Sequence, residues 1–256
     1  MAKTEGKTLR IDKLLSEMGI ATRSASKEMV KAGRVTVNGE VIKKSDVKVT
    51  FPGDVVCVDG ETLAYSEYEY YMLYKPAGVV SATEDKTHKT VVDLIEGSSR
   101  RGLFPVGRLD IDTEGLLLIT NDGELSHRLL SPTKHVPKVY YAKIDKEVTD
   151  EDVKRFQDGI DIGTQDSPEM TRPAQLEICK YENDSQKQMN GPDASEVLIT
   201  IHEGKYHQIK RMFEAVGKNV VFLKRLSMGN LELDESLKPG EYRELTEEEI
   251  ALLSNG

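Results

Sequence analysis

The 256-residue chain predicts an α+β fold in two parts: a small helix–helix–hairpin unit, then a larger domain whose mixed sheet is flanked by helices. Three observations carry this. Two short helical patterns precede an alternating run around Asn38-Gly39. Residues 61–69, ETLAYSEYE, are polar, acidic and without periodicity, as a linker would be. Beyond residue 70, strands and helices follow one another without the regular βαβ alternation of a parallel sheet.

Residues 1–8 read as a polar, lysine-bearing tail. From Leu9 onward Ile11, Leu14, Leu15 and Met18 recur at helical spacing, and Gly19 is placed to stop the helix. Thr22 or Ser24 can cap a second helix, with Met29 and Val30 inward and Arg23, Lys27 and Lys31 on another face. RVTVNGEVI then alternates around Asn38-Gly39, a strong two-residue hairpin signal. The front unit is therefore set at 9–60, the linker at 61–69 and the larger domain at 70–256.

In that domain YYMLYKPAG is an apolar strand ended by Pro76 and turned by Gly78, with Lys75 given no role. GELSHRLLSP predicts a short helix before Pro132, HVPKVYYAKID a strand, and TDEDVKRFQDG a helix from Thr149 to Gly159. RPAQLEICKY and EVLITIHEG read as strands joined by the polar loop ENDSQKQMNGPDAS. HQIKRMFEAVG predicts a helix with Ile209, Met212, Phe213 and Val216 inward and Gly217 as its stop. A Lys238-Pro239-Gly240 turn and a last helix capped by Thr246 with Glu249 complete the chain.

The formal charge is −9, but it is unevenly spread: residues 1–60 hold 11 Lys and Arg against 8 Asp and Glu, leaving 24 against 36 in the rest. An acidic total does not exclude nucleic acid, because phosphate contacts depend on where the cations cluster. No apolar run is long enough to span a membrane and MAKTEGKTLR has no hydrophobic leader, so a cytoplasmic, membrane-free protein is expected, with a monomer as the default state. Cys57 and Cys179 lack the spacing of a disulfide framework or a zinc site.

The chemistry centres on Gly107–Gly123, GRLDIDTEGLLLITNDG. Asp110, Asp112 and Glu114 stand before Leu116-Leu117-Leu118-Ile119, a run that reads as a buried strand, and Asn121-Asp122-Gly123 reads as a turn. An acid at the mouth of a buried strand can face a ligand, although solvated acids at a strand end are the commoner case. Calcium fits less well: the loop lacks its bidentate glutamate, with Asn121 there instead, and no amphipathic helix precedes it.

GRLDIDTEGLLLITNDGELSHRLLSP, taken with Lys138-Val139-Tyr140 and EGKYHQIKRMFEAVG, closely resembles the RsuA family of pseudouridine synthases, which modify ribosomal RNA. The resemblance covers nearly the whole chain and includes an S4-like RNA-binding module at the front. It implies a largely antiparallel mixed sheet, Asp110 of the GRLD motif as nucleophile, Lys210 of the HQIK motif as its salt-bridge partner, and Tyr140 against the target base. From the residues alone, Lys210 could equally pair with Glu214 one turn on, and Tyr140 could be an ordinary strand aromatic. Arg211 is the fallback partner for Asp110, Asp112 is a weaker candidate than Asp110, and His207 and Gln208 of the HQIK motif either serve the site or orient the start of the last core helix.

Arg23, Lys27, Lys31 and Arg34 become RNA-binding candidates through the S4 resemblance, and Arg211 of the larger domain is a further candidate. Arg108, two residues before Asp110, is placed to fill the space of an extruded base or to hold a flanking phosphate. A carboxylate nucleophile at a sugar carbon requires no metal and no cofactor, and none is expected. The finer likeness points to 16S rRNA or a small-subunit assembly intermediate as partner. A 23S rRNA synthase, a non-catalytic assembly factor and a carbohydrate-processing enzyme using Asp110 with Asp112 or Glu114 are the other readings.

Overall fold

The computed structural model describes residues 7–51, 53–63, 68–96, 102–131, 133–164, 166–179 and 194–254. The chain forms two compact units, one reaching Tyr68 and including Ile95–Leu103, the other taking Glu69–Leu94 and Phe104–Gly256. No helix among the described residues is long and apolar enough to cross a membrane.

The first unit runs β1 (Lys7–Arg10), α1 (Ile11–Glu17), α2 (Arg23–Lys31), β2 (Val35–Val37), β3 (Glu40–Val41), β4 (Lys48–Phe51), β5 (Val56–Val58) and β6 (Glu61–Thr62). Thr22 caps α2 by accepting the Ala25 N–H at 3.3 Å. Asn38 and Gly39 both take positive φ, 52° and 84°, which the turn between β2 and β3 demands. Asp59 and Gly60 do the same, 53° and 88°, between β5 and β6. Residues 61 and 62 are therefore a strand of this unit instead of linker. The polar tail is likewise shorter than the sequence suggests, because Lys7–Arg10 pairs antiparallel with Lys48–Phe51. Ile11, Leu14, Leu15, Val30, Val35, Val49 and Val56 are fully buried together.

The second unit is built on one sheet of nine strands. Its order is β11 (Gln175–Ile178), β12 (Ser195–Ile201), β10 (Lys138–Ile144), β13 (Val220–Met228), β9 (Glu114–Thr120), β7 (Tyr70–Lys75) and β15 (Tyr242–Glu244). Two short strands, β8 (Phe104–Pro105) and β14 (Leu231–Glu232), add to β9 and β13. Every pairing is antiparallel except β13 with β9, which touch only at Lys224–Glu114 and Arg225–Gly115. The two halves of the sheet cross there so closely that a Cβ on Gly115 would lie 2.2 Å from the Arg225 carbonyl oxygen. A glycine is obligatory at that crossing, whose φ is +101°.

Helices cover this sheet: α3 (Gly123–Leu130), α4 (Asp150–Asp158), α5 (Gln208–Ala215) and a last helix, Glu247–Ser254. Leu125 and Leu129 of α3 and Leu253 of the last helix pack with Met72, Leu116 and Leu118. Phe156 of α4 meets Phe213 of α5, ring centroids 4.8 Å apart. Asn121-Asp122-Gly123 is a helix entry more than a free turn: Asp122 caps α3 through the Leu125 N–H at 2.9 Å and accepts the Tyr70 hydroxyl at 2.8 Å. The loop ENDSQKQMNGPDAS lies almost wholly outside the described residues.

Helix α4 shows how much one terminus contributes. Thr149 and Asp152 form a reciprocal capping box, and the same buried Asp152 carboxylate meets the mostly shielded Lys218 at 2.8 Å. Burial opposes the Asp152 charge, but hydrogen bonds from Lys218 and from the Thr149 N–H and hydroxyl prevail and depress its pKa. A depressed carboxylate stabilises the fold above its unfolded pKa and stops doing so as pH falls through the folded one. Asp152→Ala is expected to destabilise the second unit by about 3 kcal/mol at pH 7, since it strands a mostly shielded lysine and removes a cap. Urea unfolding at pH 7 and again in acid checks this: the gap between wild type and variant should narrow as pH falls.

Candidate active site

Asp110 lies in a tight turn, closed by the Thr113 N–H on the Asp110 carbonyl at 3.1 Å, just before β9. Three groups, one at the end of β7 and two just after it, brace that turn. The Gly78 N–H donates to the Ile111 carbonyl at 2.7 Å. Ser81 Oγ donates to the Leu109 carbonyl at 2.9 Å and accepts its N–H at 3.1 Å. Lys75, fully buried at the end of β7, donates Nζ to the carbonyls of Thr113 at 2.8 Å, Pro76 at 3.0 Å and Ile111 at 3.3 Å. Burial brings the Lys75 pKa down to about 8, against the upward pull of Asp112, Asp110 and Glu114. The lysine for which sequence offered no role is thus a clip on the acidic loop, made by carbonyls that arrive 36 to 38 residues later.

Helix α5 supplies the opposing charge. Its entry residue His207 adopts a left-handed φ of 48°, and one turn in, Lys210 Nζ stands 3.1 Å from Asp110 Oδ2 and 2.6 Å from Asp112 Oδ1. Lys210 therefore bridges two carboxylates instead of pairing with Glu214 along its own helix. Burial works against the Lys210 ammonium, yet hydrogen bonds to Asp112 and Asp110 raise its pKa. The Asp112 pKa is lowered for the complementary reason: Lys210 outweighs the penalty of burial. His207 Nε2 reaches Asp110 Oδ1 at 3.5 Å from the other side. The Asp110 side chain keeps a quarter of its surface open.

Tyr140, nearly buried on β10, is opposite Arg225 of β13, which is opposite Gly115 of β9, which is opposite Lys75. One row across four strands thus links the tyrosine to the clip on the Asp110 loop. Arg225 is itself buried, donates Nε to the Leu116 carbonyl at 2.7 Å, and has an Nη2 without a hydrogen-bond partner among the described residues. Lys138, two residues before Tyr140, is brought down to about 8 by burial and then by the charge of Arg225. Tyr141 faces the other way and meets Phe222 edge-on.

The remaining candidates divide. Arg108 is exposed. Arg211 is drawn away from Asp110: it holds Glu169 at 2.6 Å and donates to the Ile162 carbonyl, tying α5 to the segment after α4. In the first unit Lys27 and Lys31 line an open cleft of about 550 Å³ with Arg10, Lys43 and Lys44. Glu28 and Asp46 are the acids on its wall, and Arg10 is itself held by Asp12 at 3.0 Å. Arg23 is exposed on α2. Arg34 is engaged by both oxygens of Asp59, the Nε bond measuring 2.8 Å, so its charge is already answered within the chain. Sequence reading missed Lys43 and Lys44, which precede the turn at Ser45-Asp46, and missed Ser81, whose role exists only once Leu109 is beside it.

A lysine-lined cleft on a two-helix unit, and in a separate unit a partly shielded aspartate held between a lysine and a braced loop, define the class: an enzyme that works on RNA. The family profile of RNA pseudouridylate synthases matches residues 69–215 and that of the S4 domain residues 9–56. The chain belongs to the RNA pseudouridylate synthase family, isomerases that convert uridine in RNA to pseudouridine, and carries an S4 domain in front. It is 49% identical over 249 residues to the Bacillus subtilis (strain 168) protein YtzG, described as an uncharacterized RNA pseudouridine synthase, spanning 96% of this chain and 98% of that one. It is 40% identical over 245 residues to ribosomal small subunit pseudouridine synthase A of Escherichia coli (strain K12), 95% and 99% covered. A crystal structure of a pseudouridylate synthase superposes with a TM-score of 0.63 at 37% identity, covering 96% of this chain and 99% of that one.

Proposed function

We propose that the protein isomerises one uridine of 16S rRNA to pseudouridine, with Asp110 as the nucleophile. The observation that carries this is the Lys210 bridge: one ammonium contacts both Asp110, whose side chain is three-quarters shielded from water, and the more open Asp112, and so sets a fixed positive charge beside the attacking carboxylate. An Asp110 oxygen attacks C1′ of the target ribose as the bond to N1 breaks and its electron pair stays with the uracil. The base turns, C5 attacks C1′, and the aspartate leaves with its electron pair; C5 then gives up its proton and N1 takes one up, which restores the neutral ring. Atoms and charge balance within the nucleotide and the carboxylate.

Tyr140 provides the ring against the displaced base. Arg225 and Lys138, the two cations beside it, offer donors to the target nucleotide. Arg108, exposed and two residues before Asp110, holds a phosphate of the RNA strand or fills the vacated stack. The small-subunit relatives at about 40% identity over nearly the full length support 16S rRNA as the substrate. Nucleoside mapping of unmodified 16S and 23S rRNA after incubation with the protein tests this. A single new pseudouridine in 16S rRNA is the expected result; product confined to 23S rRNA corrects the target, and binding without product points to an assembly factor.

The S4 unit serves as the grip on folded RNA, reading shape and backbone through Lys27, Lys31, Lys43 and Lys44, with Arg23 adjoining. Replacing those four lysines by glutamine is expected to weaken rRNA binding and to flatten the dependence of log K on log salt by about 3, at roughly 0.7–0.9 per phosphate contact. Filter binding across a salt series measures it. An unchanged slope would place the RNA elsewhere on the protein.

A further inference from the structure

We infer that Tyr206 is a stacking platform for a nucleobase next to the target uridine, a deepening that rests on the synthase reading above. The residue is 76% exposed, the most open large apolar residue among the described ones. It is not loose. One face lies on the His207 ring, centroids 3.9 Å apart and planes 17° from parallel, and His207 in turn touches Asp110 at 3.5 Å. The outer face of Tyr206 is therefore one ring removed from the side chain that contacts the nucleophile.

The turn beneath it is braced from several sides. The Tyr206 carbonyl accepts Arg211 Nη1 at 3.1 Å, Gln208 Oε1 accepts the Lys205 N–H at 2.9 Å, and Gln208 Nε2 donates to Glu203 at 3.1 Å. His207 itself takes the left-handed conformation, uncommon for a residue with a side chain. A large apolar ring held out of the core on a rigid, strained turn gains nothing for folding, since its burial is forgone. A surface that receives single-stranded nucleotides gains from it, because base-on-aromatic stacking tolerates any base and a pre-ordered ring loses little entropy on contact. The cations around the turn suit the same ligand: Lys205 and Arg211 meet on Glu169, and Lys210 lies beyond His207.

The test compares Tyr206→Ala and Tyr206→Phe on a 16S rRNA fragment containing the mapped target, with abasic replacements at the two nucleotides on either side. The open position of Tyr206 lets both variants fold. Tyr206→Ala should lower kcat/KM about 10- to 100-fold through KM, with kcat nearly unchanged, and Tyr206→Phe should restore it. One abasic position should cause a similar loss in the wild type and no further loss in Tyr206→Ala. Wild-type kcat/KM in Tyr206→Ala would overturn the proposal. So would a loss confined to kcat with a displaced pH profile, which would make Tyr206 only a support for His207, and so would equal extra losses at all four abasic positions. Binding of the same fragment to Asp110→Asn, with and without Tyr206→Ala, separates the two readings: if no pseudouridine forms, the synthase reading fails, while an affinity difference between these proteins still decides the platform.

Discussion

Asp110→Asn is expected to abolish pseudouridine formation, by roughly 10⁴-fold or more, with the fold and RNA affinity retained. Asparagine keeps the size of the side chain and can still meet Lys210 and His207, but its amide cannot displace uracil from C1′. The turn that carries the residue does not depend on the carboxylate: it is held by the Thr113 N–H on the Asp110 carbonyl, by Gly78, by Ser81 and by Lys75. Single-turnover assays with the mapped rRNA fragment and circular dichroism of the same preparation would show a folded protein without turnover. A variant within tenfold of the wild type would remove Asp110 from the bond-making step.

Lys210→Met should be nearly as damaging, lowering kcat about 10²- to 10³-fold, the scale of losing one preorganised charge at a reacting centre. Without the ammonium, Asp110 and Asp112 face each other across the space that it bridged, 3.1 and 2.6 Å from its two contacts. The sign of the pH effect follows. Lys210 holds Asp112 below the usual carboxylate range although burial pushes the other way, so removing it raises the pH at which Asp112 becomes ionised. The acid limb of the pH–rate profile should move to higher pH in Lys210→Met, and Lys210→Arg should recover part of both rate and profile. The stability that the depressed Asp112 contributes is present above its unfolded pKa and lost as pH falls through the folded one, so the two proteins' stabilities should converge in acid. A profile that does not move would mean that the bridge is structural alone.

Features written in adjacent residues were legible in the sequence. Thr149 with Asp152 and Gly159 bounded α4, Asn38-Gly39 turned the first hairpin, and the run Leu116–Ile119 lay buried where its composition put it. Thr246 and Glu249 exchange the expected cap bonds at 3.2 and 2.8 Å. Asp59-Gly60 carried the same hairpin signal as Asn38-Gly39, but β5 and β6 beside it are too short to show alternation. What escaped depends on distant partners. Lys7–Arg10 is a strand only because Lys48–Phe51 comes alongside, and Lys75 is buried only because carbonyls of the Asp110 loop satisfy it. Arg34 looked free for phosphate until the chain returned Asp59 to it. Lys210 had two partners within reach on paper, Glu214 along the helix and Asp110 across the fold, and only the folded chain brings it to Asp110 and Asp112.

The site's central claim is a bond between Asp110 and the target ribose, and the most direct measurement is to locate it. Wild-type protein mixed with the rRNA fragment, quenched within a turnover and digested with trypsin and ribonuclease would release Leu109–Arg128 as one peptide, since no lysine or arginine interrupts it before Arg128. Tandem mass spectrometry is expected to find the nucleotide on Asp110, and to find none in Asp110→Asn. A nucleotide attached instead to Asp112, Glu114 or any residue outside this peptide would contradict the mechanism.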